Sequence, residues 1–106
     1  MYAQVTHIQV PIDGMPQMRR MIEHDYLPVI RCRPGFVAGY LLEQVDDPES
    51  AILVVQWENH EAVENFNRTG SLEASVQALA ARMPGVRMHR EGFIMRVRVE
   101  RETAGV

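Results

Sequence analysis

The stretch SAILVVQWE, residues 50–58, determines the fold that we predict for this chain. It is strand-like, and from Ala51 to Val55 it is apolar on both of its alternating sides. Such a strand is expected in the centre of a sheet that is covered on both faces. Residues 36–44 (FVAGYLLEQ) are also strand-like, and the turn-rich DDPES joins the two stretches. We therefore predict an antiparallel hairpin.

A strand and a helix precede this hairpin. Residues 3–10 (AQVTHIQV) alternate like a half-buried strand, which places Thr6 and His7 on opposite sides. From residue 16 to about 31, apolar side chains recur at spacings of three and four, which predicts an amphipathic helix. Pro28 lies inside this helix and removes one hydrogen bond, so we expect a kink or a tighter turn near residues 24–27.

A second helical region and a last strand follow the hairpin. Asn59 is a suitable helix cap, and Gly70 interrupts the helical pattern before it continues to about residue 83. Residues 87–100 alternate again and predict the last strand, which leaves residues 101–106 as a tail. The predicted fold class is therefore α+β, with the ferredoxin-like βαββαβ order and a four-stranded antiparallel sheet that has its helices on one face.

The second face of this sheet is the feature that predicts self-association. A chain of 106 residues has room for one domain, so no further element remains to cover that face. We expect a homodimer in which the sheets of two copies are in contact. If Thr6 faces the helices, His7 lies on the dimer face. The wedge between helices and sheet is where a small ligand is expected to bind.

Charge and composition argue against several other partners. The net charge is −3, and the arginines of residues 87–101 are interleaved with glutamates, which we interpret as a solvated strand face and not as a nucleic-acid site. No window approaches the roughly 18 apolar residues of a membrane span. The single cysteine, Cys32, cannot form an intrachain disulfide, and we expect a buried, inert thiol. Together these features predict a cytoplasmic protein without a membrane partner.

Three passages resemble the antibiotic biosynthesis monooxygenase family of dimeric α+β barrels. They are the first strand ending in IQVP, the passage RPGFVAGYLLEQ, and AILVVQWEN followed by HEAVENF. The shared pattern is a proline-glycine-aromatic turn, a strand that ends in tryptophan, and an alanine and an aromatic residue at helical spacing. It covers about residues 5–66. The resemblance implies a small homodimer with a pocket between its helices and its sheet.

The resemblance implies a cofactor-independent monooxygenase that acts on a small aromatic or quinone-forming substrate. A non-catalytic ligand-binding or accessory dimer is the alternative, because titratable groups are sparse on the inward faces. The haem-degrading branch of the family fits less well, since Thr6 stands where that branch has asparagine and residues 67–82 contain no histidine. No metal-binding motif, nucleophile elbow or phosphate-binding glycine loop occurs, so we expect neither a metal nor a cofactor.

Three residues are candidates for catalysis. Trp57 stands at the position of the family's strand-terminal tryptophan, and its indole N–H can donate to a substrate oxygen. His24, with Asp25 beside it, could be the base that forms a reactive phenolate. A plain core tryptophan and a solvent-exposed histidine remain open as alternatives. We expect the substrate pocket to be lined by side chains from both helical regions and the strands, namely Thr6, Ile22, Tyr26, Phe36, Tyr40, Val55 and Phe66.

Overall fold

The structure, a computed structural model, describes residues 1–102. Its four strands form one antiparallel sheet in the order β2-β3-β1-β4. The strands are β1 (Tyr2–Gln9), β2 (Phe36–Glu43), β3 (Ser50–Trp57) and β4 (Arg87–Ile94). The helices α1 (Met15–Arg20), α2 (Leu27–Ile30), α3 (His60–Arg68) and α4 (Ser71–Arg82) complete the chain order. The predicted α+β fold with β3 as a central strand is confirmed.

The first helix runs over residues 15–30 and changes its winding in the middle. Between α1 and α2, Met21–Tyr26 is a π-helical segment, in which the N–H of Leu27 donates to the carbonyl of Ile22, five residues before it. Pro28 explains this, because its ring would clash with the carbonyl four residues earlier in an ordinary α-turn. The disturbance lies where the sequence predicts it, but the helix widens there and does not tighten.

The second helical region follows the predicted capping. The side-chain oxygen of Asn59 accepts a hydrogen bond of 2.9 Å from the N–H of Ala62. Gly70, with a φ of 75°, separates α3 from α4. At the start of β2, Gly35 has a φ of 85°, and a side-chain carbon added there would lie 2.4 Å from the Cβ of Ala62. The turn before β2 therefore requires glycine for both its backbone and its packing.

The strand β3 has one face beneath the helices and one face away from them. Its alternate residues Ala51, Leu53, Val55 and Trp57 are buried, whereas the residues between them are only half-buried. Thr6 pairs with Leu53, so Thr6 lies on the helix-covered face. His7 lies on the other face, which we call the open face, where its Nε2 is 2.8 Å from a carboxylate oxygen of Glu91.

The last strand is shorter than predicted, which corrects the expectation that it continues to residue 100. Ile94 pairs with Tyr2, the first residue of β1, and the N–H of Met95 still donates to the carbonyl of Met1 at 2.9 Å. Because β1 begins at Tyr2, the alternating residues 95–100 have no strand to pair with among residues 1–102. Of the predicted tail, residues 103–106 lie outside the described part.

Two smaller expectations have different outcomes. Cys32 is exposed, so the prediction of a buried thiol is wrong, because its position after α2 lies outside the helix–sheet packing. Among residues 1–102, no helix is both long and apolar enough to cross a membrane.

Candidate functional site

A cavity of about 130 Å³ lies between the first helix, α4 and the helix-covered face of the sheet. We call it the helix–sheet cavity. Most of its wall is apolar, and its lining residues are Thr6, Ile8, Ile22, Tyr26, Leu53, Leu72, Ser75, Val76, Leu79, Met88 and Arg90. A mostly apolar cavity with a few convergent polar groups is typical of a small-molecule site.

The polar groups of the cavity come from four elements. Thr6 on β1 pairs with Arg90 on β4, so the register of the sheet places these two residues on the same face, and both line the cavity. Tyr26 comes from the π-helical segment and Ser75 from α4. The Arg90 side chain is 33% exposed, and its Nη2 lies 3.6 Å from a carboxylate oxygen of Glu73, itself 70% exposed. An ion pair so long and so exposed contributes little, which leaves the guanidinium free to bind another anion.

Tyr26 is the titratable side chain most affected by the cavity. Burial raises its pKa to about 12, and the positive charge of Arg90 opposes part of that rise. At neutral pH the phenol is protonated, as an ordinary tyrosine also is, and the raised pKa makes its ionised form still less accessible. It can donate a hydrogen bond, but it is not available as a base.

Trp57 lies in a different part of the helix-covered face. Its ring stacks on Phe66 at a centroid distance of 5.4 Å and meets Phe36 edge-on at 5.9 Å. We call these three residues the aromatic cluster. Trp57 is fully buried and follows the cavity residue Leu53 by four positions on β3, which is roughly 13 Å along the strand. Val55, 2% exposed, lies between the two regions and lines neither.

The aromatic cluster and the neighbouring Arg33 each contain one unpaired polar atom. Within residues 1–102, the indole N–H of Trp57 and the Nε of Arg33 are buried without a hydrogen-bond partner. The guanidinium of Arg33 lies 5.8 Å from the ring centre of Phe66, in a cation–π arrangement. A hollow of about 250 Å³ is lined by Arg33, Gly35, Asn65 and Phe66, but Trp57 does not reach it.

The two candidate bases lie outside the helix–sheet cavity. His24 and Asp25 are exposed, and a carboxylate oxygen of Asp25 is 2.6 Å from Nη1 of Arg82, which links the π-helical segment to α4. The reason is the winding of the first helix, which turns Ile22 and Tyr26 inward instead. The expectation that His24 or Asp25 acts as a base on a substrate in this cavity therefore lacks support from the geometry.

Tyr40 also differs from its expected position. It pairs with Val54, on the open face, and it is 48% exposed. A register shift between Phe36 and Ala38 sets which residues of β2 face the helices. The expectation that the hydroxyls of Tyr40 and Thr6 share one pocket is therefore wrong.

Three of the predicted lining residues do come together in the cavity: Thr6, Ile22 and Tyr26. Sequence reasoning missed Ser75 and Arg90. Arg90 was included in a solvated strand face, yet its pairing with Thr6 places it beneath the helices. The available signal was the alternation of β4, which puts Arg90 on the same side as the half-buried Met88.

A larger hollow, about 570 Å³, lies on the open face beside His7, Ile52 and His89. The helices do not cover this face, and it is the one that we expect a second copy to cover. We therefore prefer the smaller helix–sheet cavity as the ligand site. In the part of the chain that the structure describes, no group of three His, Cys, Asp or Glu side chains is placed to hold a metal ion.

The fold and the cavity define a small α+β domain with a ligand-sized space beneath its helices. The model of the antibiotic biosynthesis monooxygenase family matches residues 1–78, and the chain belongs to this family. A search of curated proteins finds no match.

Solved structures show the same fold at low sequence identity. SnoaB from Streptomyces nogalater, a cofactor-independent oxygenase, superposes with a TM-score of 0.78 at 20% identity, covering 94% of this chain and 97% of its own. The ActVA-Orf6 monooxygenase of Streptomyces coelicolor, in complex with nanaomycin D, gives 0.77 at 15% identity, with 95% and 92% covered. The haem degrader MhuD from Mycobacterium tuberculosis gives 0.63 at 20% identity, with 92% and 99% covered.

The helix–sheet cavity does not fit a haem group. An engineered cavity of about 150 Å³ accommodates benzene, so about 130 Å³ is too small for a macrocycle of four pyrrole rings. No histidine stands among the residues that line it. The sequence also argues against a haem degrader, because Thr6 stands where that branch of the family has asparagine and residues 67–82 contain no histidine.

Proposed function

We propose that this protein is a cofactor-independent monooxygenase that oxidises a small aromatic compound in the helix–sheet cavity. The observation that carries the proposal is the combination of an apolar cavity with one guanidinium and three hydroxyl groups, from Arg90, Thr6, Tyr26 and Ser75. Family membership supports the reaction type. No cofactor is required, because the substrate itself supplies the electrons.

The proposed reaction balances without an external reductant. A ring carbon that carries two hydrogens is converted to a carbonyl, R₂CH₂ + O₂ → R₂CO + H₂O. One oxygen atom becomes the carbonyl oxygen, and the other leaves as water with both hydrogens. The substrate loses four electrons and dioxygen gains four. The step begins from an electron-rich phenolate, so the site must favour the ionised substrate.

Two side chains are suited to favour that ionised form. A positive charge in a partly desolvated cavity lowers the pKa of a neighbouring phenol, which is the role that we assign to Arg90. Tyr26 stays neutral because its pKa is about 12, and it donates a hydrogen bond to the phenolate oxygen. Since neither carboxylate nor imidazole lines the cavity, the phenol proton passes to water.

The active form that we propose is a homodimer in the cytoplasm. Proteins of this family are typically dimeric. On the open face Tyr40, Leu42 and Phe93 are 48%, 53% and 48% exposed, and Val97 and Val99 beyond β4 are 81% and 88% exposed. A second copy would bury these side chains. Light scattering tests the pairing, and a monomer at micromolar concentration would contradict it.

Oxygen consumption tests the proposed reaction directly. Anthrone-like compounds, monophenols and hydroquinones are offered to the wild type, to Tyr26→Phe, and to Arg31→Gln as an exposed control outside the cavity. We expect uptake with at least one compound, a lower rate in Tyr26→Phe and an unchanged rate in Arg31→Gln. Ligand binding without oxygen uptake would favour the second candidate, a non-catalytic binding dimer, which the lack of a base in the cavity also favours.

A further inference from the structure

We infer that the helix–sheet cavity accepts a single aromatic ring with an anionic substituent, and that Arg90 at the cavity mouth is the residue that selects the anion. The inference deepens the proposed function and rests on it for the chemistry. It concerns binding, however, so it can be measured separately from turnover.

The size of the cavity limits the number of rings. Its volume of about 130 Å³ is close to that of an engineered cavity that binds benzene, about 150 Å³. On the far side of Tyr26, Ser75 and Leu79 lies a second hollow of about 130 Å³, so these three side chains form a wall between the two spaces. A fused tricyclic ligand would have to displace that wall. A single ring needs no such movement.

The ion pair of Asp25 and Arg82 also opposes the binding of a ligand larger than one ring. Both residues line the second hollow, and their 2.6 Å contact joins the π-helical segment to α4 on its outer side. The two helices that border the helix–sheet cavity are thus connected beyond the wall. Because this contact is exposed, it adds only a small amount to the free-energy cost of displacing the wall.

The charge of the cavity lining indicates which substituent the aromatic ring of the ligand carries. Arg90 is the only ionised side chain among the lining residues at neutral pH, and none of the lining residues is acidic. Its guanidinium is partly exposed, so an anion can be bound there without complete desolvation. A carboxylate can accept two parallel hydrogen bonds from a guanidinium, which makes it a better partner than Glu73 at 3.6 Å.

A monophenol of this kind has no ring carbon with two hydrogens, but it can lose the same four electrons to dioxygen with balanced atoms. A ring C–H para to the hydroxyl becomes a carbonyl, as in C₆H₅OH + O₂ → C₆H₄O₂ + H₂O, which gives the para-quinone. The anionic substituent takes no part in the electron balance. Its role is to hold the ring in one orientation, with the hydroxyl beside the substituent, so that the hydroxyl lies near Tyr26 and the same Arg90 guanidinium faces both groups.

Two matched probes separate charge from shape. 2,3-Dihydroxybenzoate and 2,3-dihydroxybenzamide differ in the charge of one substituent, and 1,8-dihydroxyanthrone represents a tricyclic ligand. Calorimetry measures the affinity of each probe for the wild type, Arg90→Gln, Glu73→Gln and the exposed control Arg31→Gln. Circular dichroism checks that each variant is folded, and Arg90→Lys, which keeps the charge, serves if Arg90→Gln does not fold.

The wild type and the control should bind the benzoate about tenfold to hundredfold more tightly than the benzamide, as expected for a charge-assisted hydrogen bond. Arg90→Gln should remove this preference, and Glu73→Gln should strengthen benzoate binding about twofold to fivefold by removing a competing anion. Arg90→Lys should retain part of the preference because it retains the charge.

Several results would overturn the inference. These are equal affinity of the wild type for benzoate and benzamide, a preference that survives in Arg90→Gln, no benzoate binding at millimolar concentration, or tighter binding of the anthrone. Oxygen uptake is read in a parallel assay. Uptake with the anthrone alone would leave the proposed reaction intact and refute the ring limit, whereas selective benzoate binding with no uptake from any compound would refute the reaction alone.

Discussion

The helix-covered face of the sheet contains two regions with different physical character. The aromatic cluster of Phe36, Trp57 and Phe66 is closely packed, and Trp57 has no exposed surface. Four positions earlier on β3, the helix–sheet cavity is open enough for a ligand and is bordered by polar side chains. One strand thus borders both a packed core and an open cavity. The family's strand-terminal tryptophan belongs to the first region in this chain, and it is the second region that has the groups for chemistry.

This difference indicates that stability and ligand binding should respond to different substitutions. Large side chains fill the aromatic cluster and leave no space for a ligand. Their truncation should therefore mainly lower the free energy of unfolding. Side chains around the cavity border an existing space. Their loss should be felt mainly in binding and turnover.

The largest expected effect is on stability in the aromatic cluster. Trp57→Ala should lower the free energy of unfolding by about 3–5 kcal/mol, because it empties a fully buried site. Val76→Ala, a smaller truncation beside the cavity, should cost only about 1 kcal/mol. Denaturant unfolding measures both. Equal losses at the two positions would contradict the distinction between a packed and an open region.

Pro28→Ala should raise the stability of the protein and weaken its binding of a ligand. Proline costs about 3 kcal/mol relative to alanine inside a helix, so the variant should unfold at a higher denaturant concentration. An ordinary α-turn in place of the π-helical segment would also rotate Tyr26 away from the cavity. Loss of its hydrogen bond should weaken ligand binding about threefold to tenfold. A variant that is more stable and binds as tightly as the wild type would show that the π-helical segment does not position Tyr26.

The phenol of Tyr26 should titrate above the ordinary range of a tyrosine. Its folded-state pKa of about 12 lies above the ordinary value of 10.0, so the protonated form is favoured by folding. The corresponding stability is fully present below pH 10 and is lost as the pH rises towards about 12. Ultraviolet absorbance of a Tyr2→Phe, Tyr40→Phe variant follows Tyr26 alone. A midpoint near pH 10 in the folded protein would show that the phenol is not buried.

The smallest effects are expected at the two bases that the sequence suggested. Asp25→Asn removes an exposed ion pair and should cost at most about 1 kcal/mol of stability. His24→Ala should have a smaller effect still. If either residue were the general base, its loss should instead reduce turnover by about 10²- to 10⁴-fold. Steady-state rates of the two variants distinguish these outcomes.

Much of the fold could be predicted from local patterns. The apolar strand β3, the Asn59 cap and the Gly70 break each depend on a few neighbouring residues, and each occurs where it was expected. The end of β4 could not be predicted in this way, because it depends on where β1 begins. The same applies to β2, where a register shift decides that Tyr40 faces away from the helices.

The site was predicted less completely, for a related reason. Thr6, Ile22 and Tyr26 could be inferred from strand alternation and helical spacing, although Tyr26 depends on the widened turn before Pro28. Arg90 looked like one of several surface arginines, and only its pairing with Thr6 places it beside the cavity. Pairing between β1 and β4, which are far apart in sequence, is not encoded in any local pattern.

The location of ligand binding tests the central claim most directly. Titration of ¹⁵N-labelled protein with 2,3-dihydroxybenzoate should shift the amide signals of Thr6, Ser75 and Arg90, which lie on three different elements around the helix–sheet cavity. The amides of Arg33, Gly35 and Asn65, around the hollow beside the aromatic cluster, should remain in place. Shifts confined to Arg33, Gly35 and Asn65 would place the ligand at the aromatic end and contradict the account.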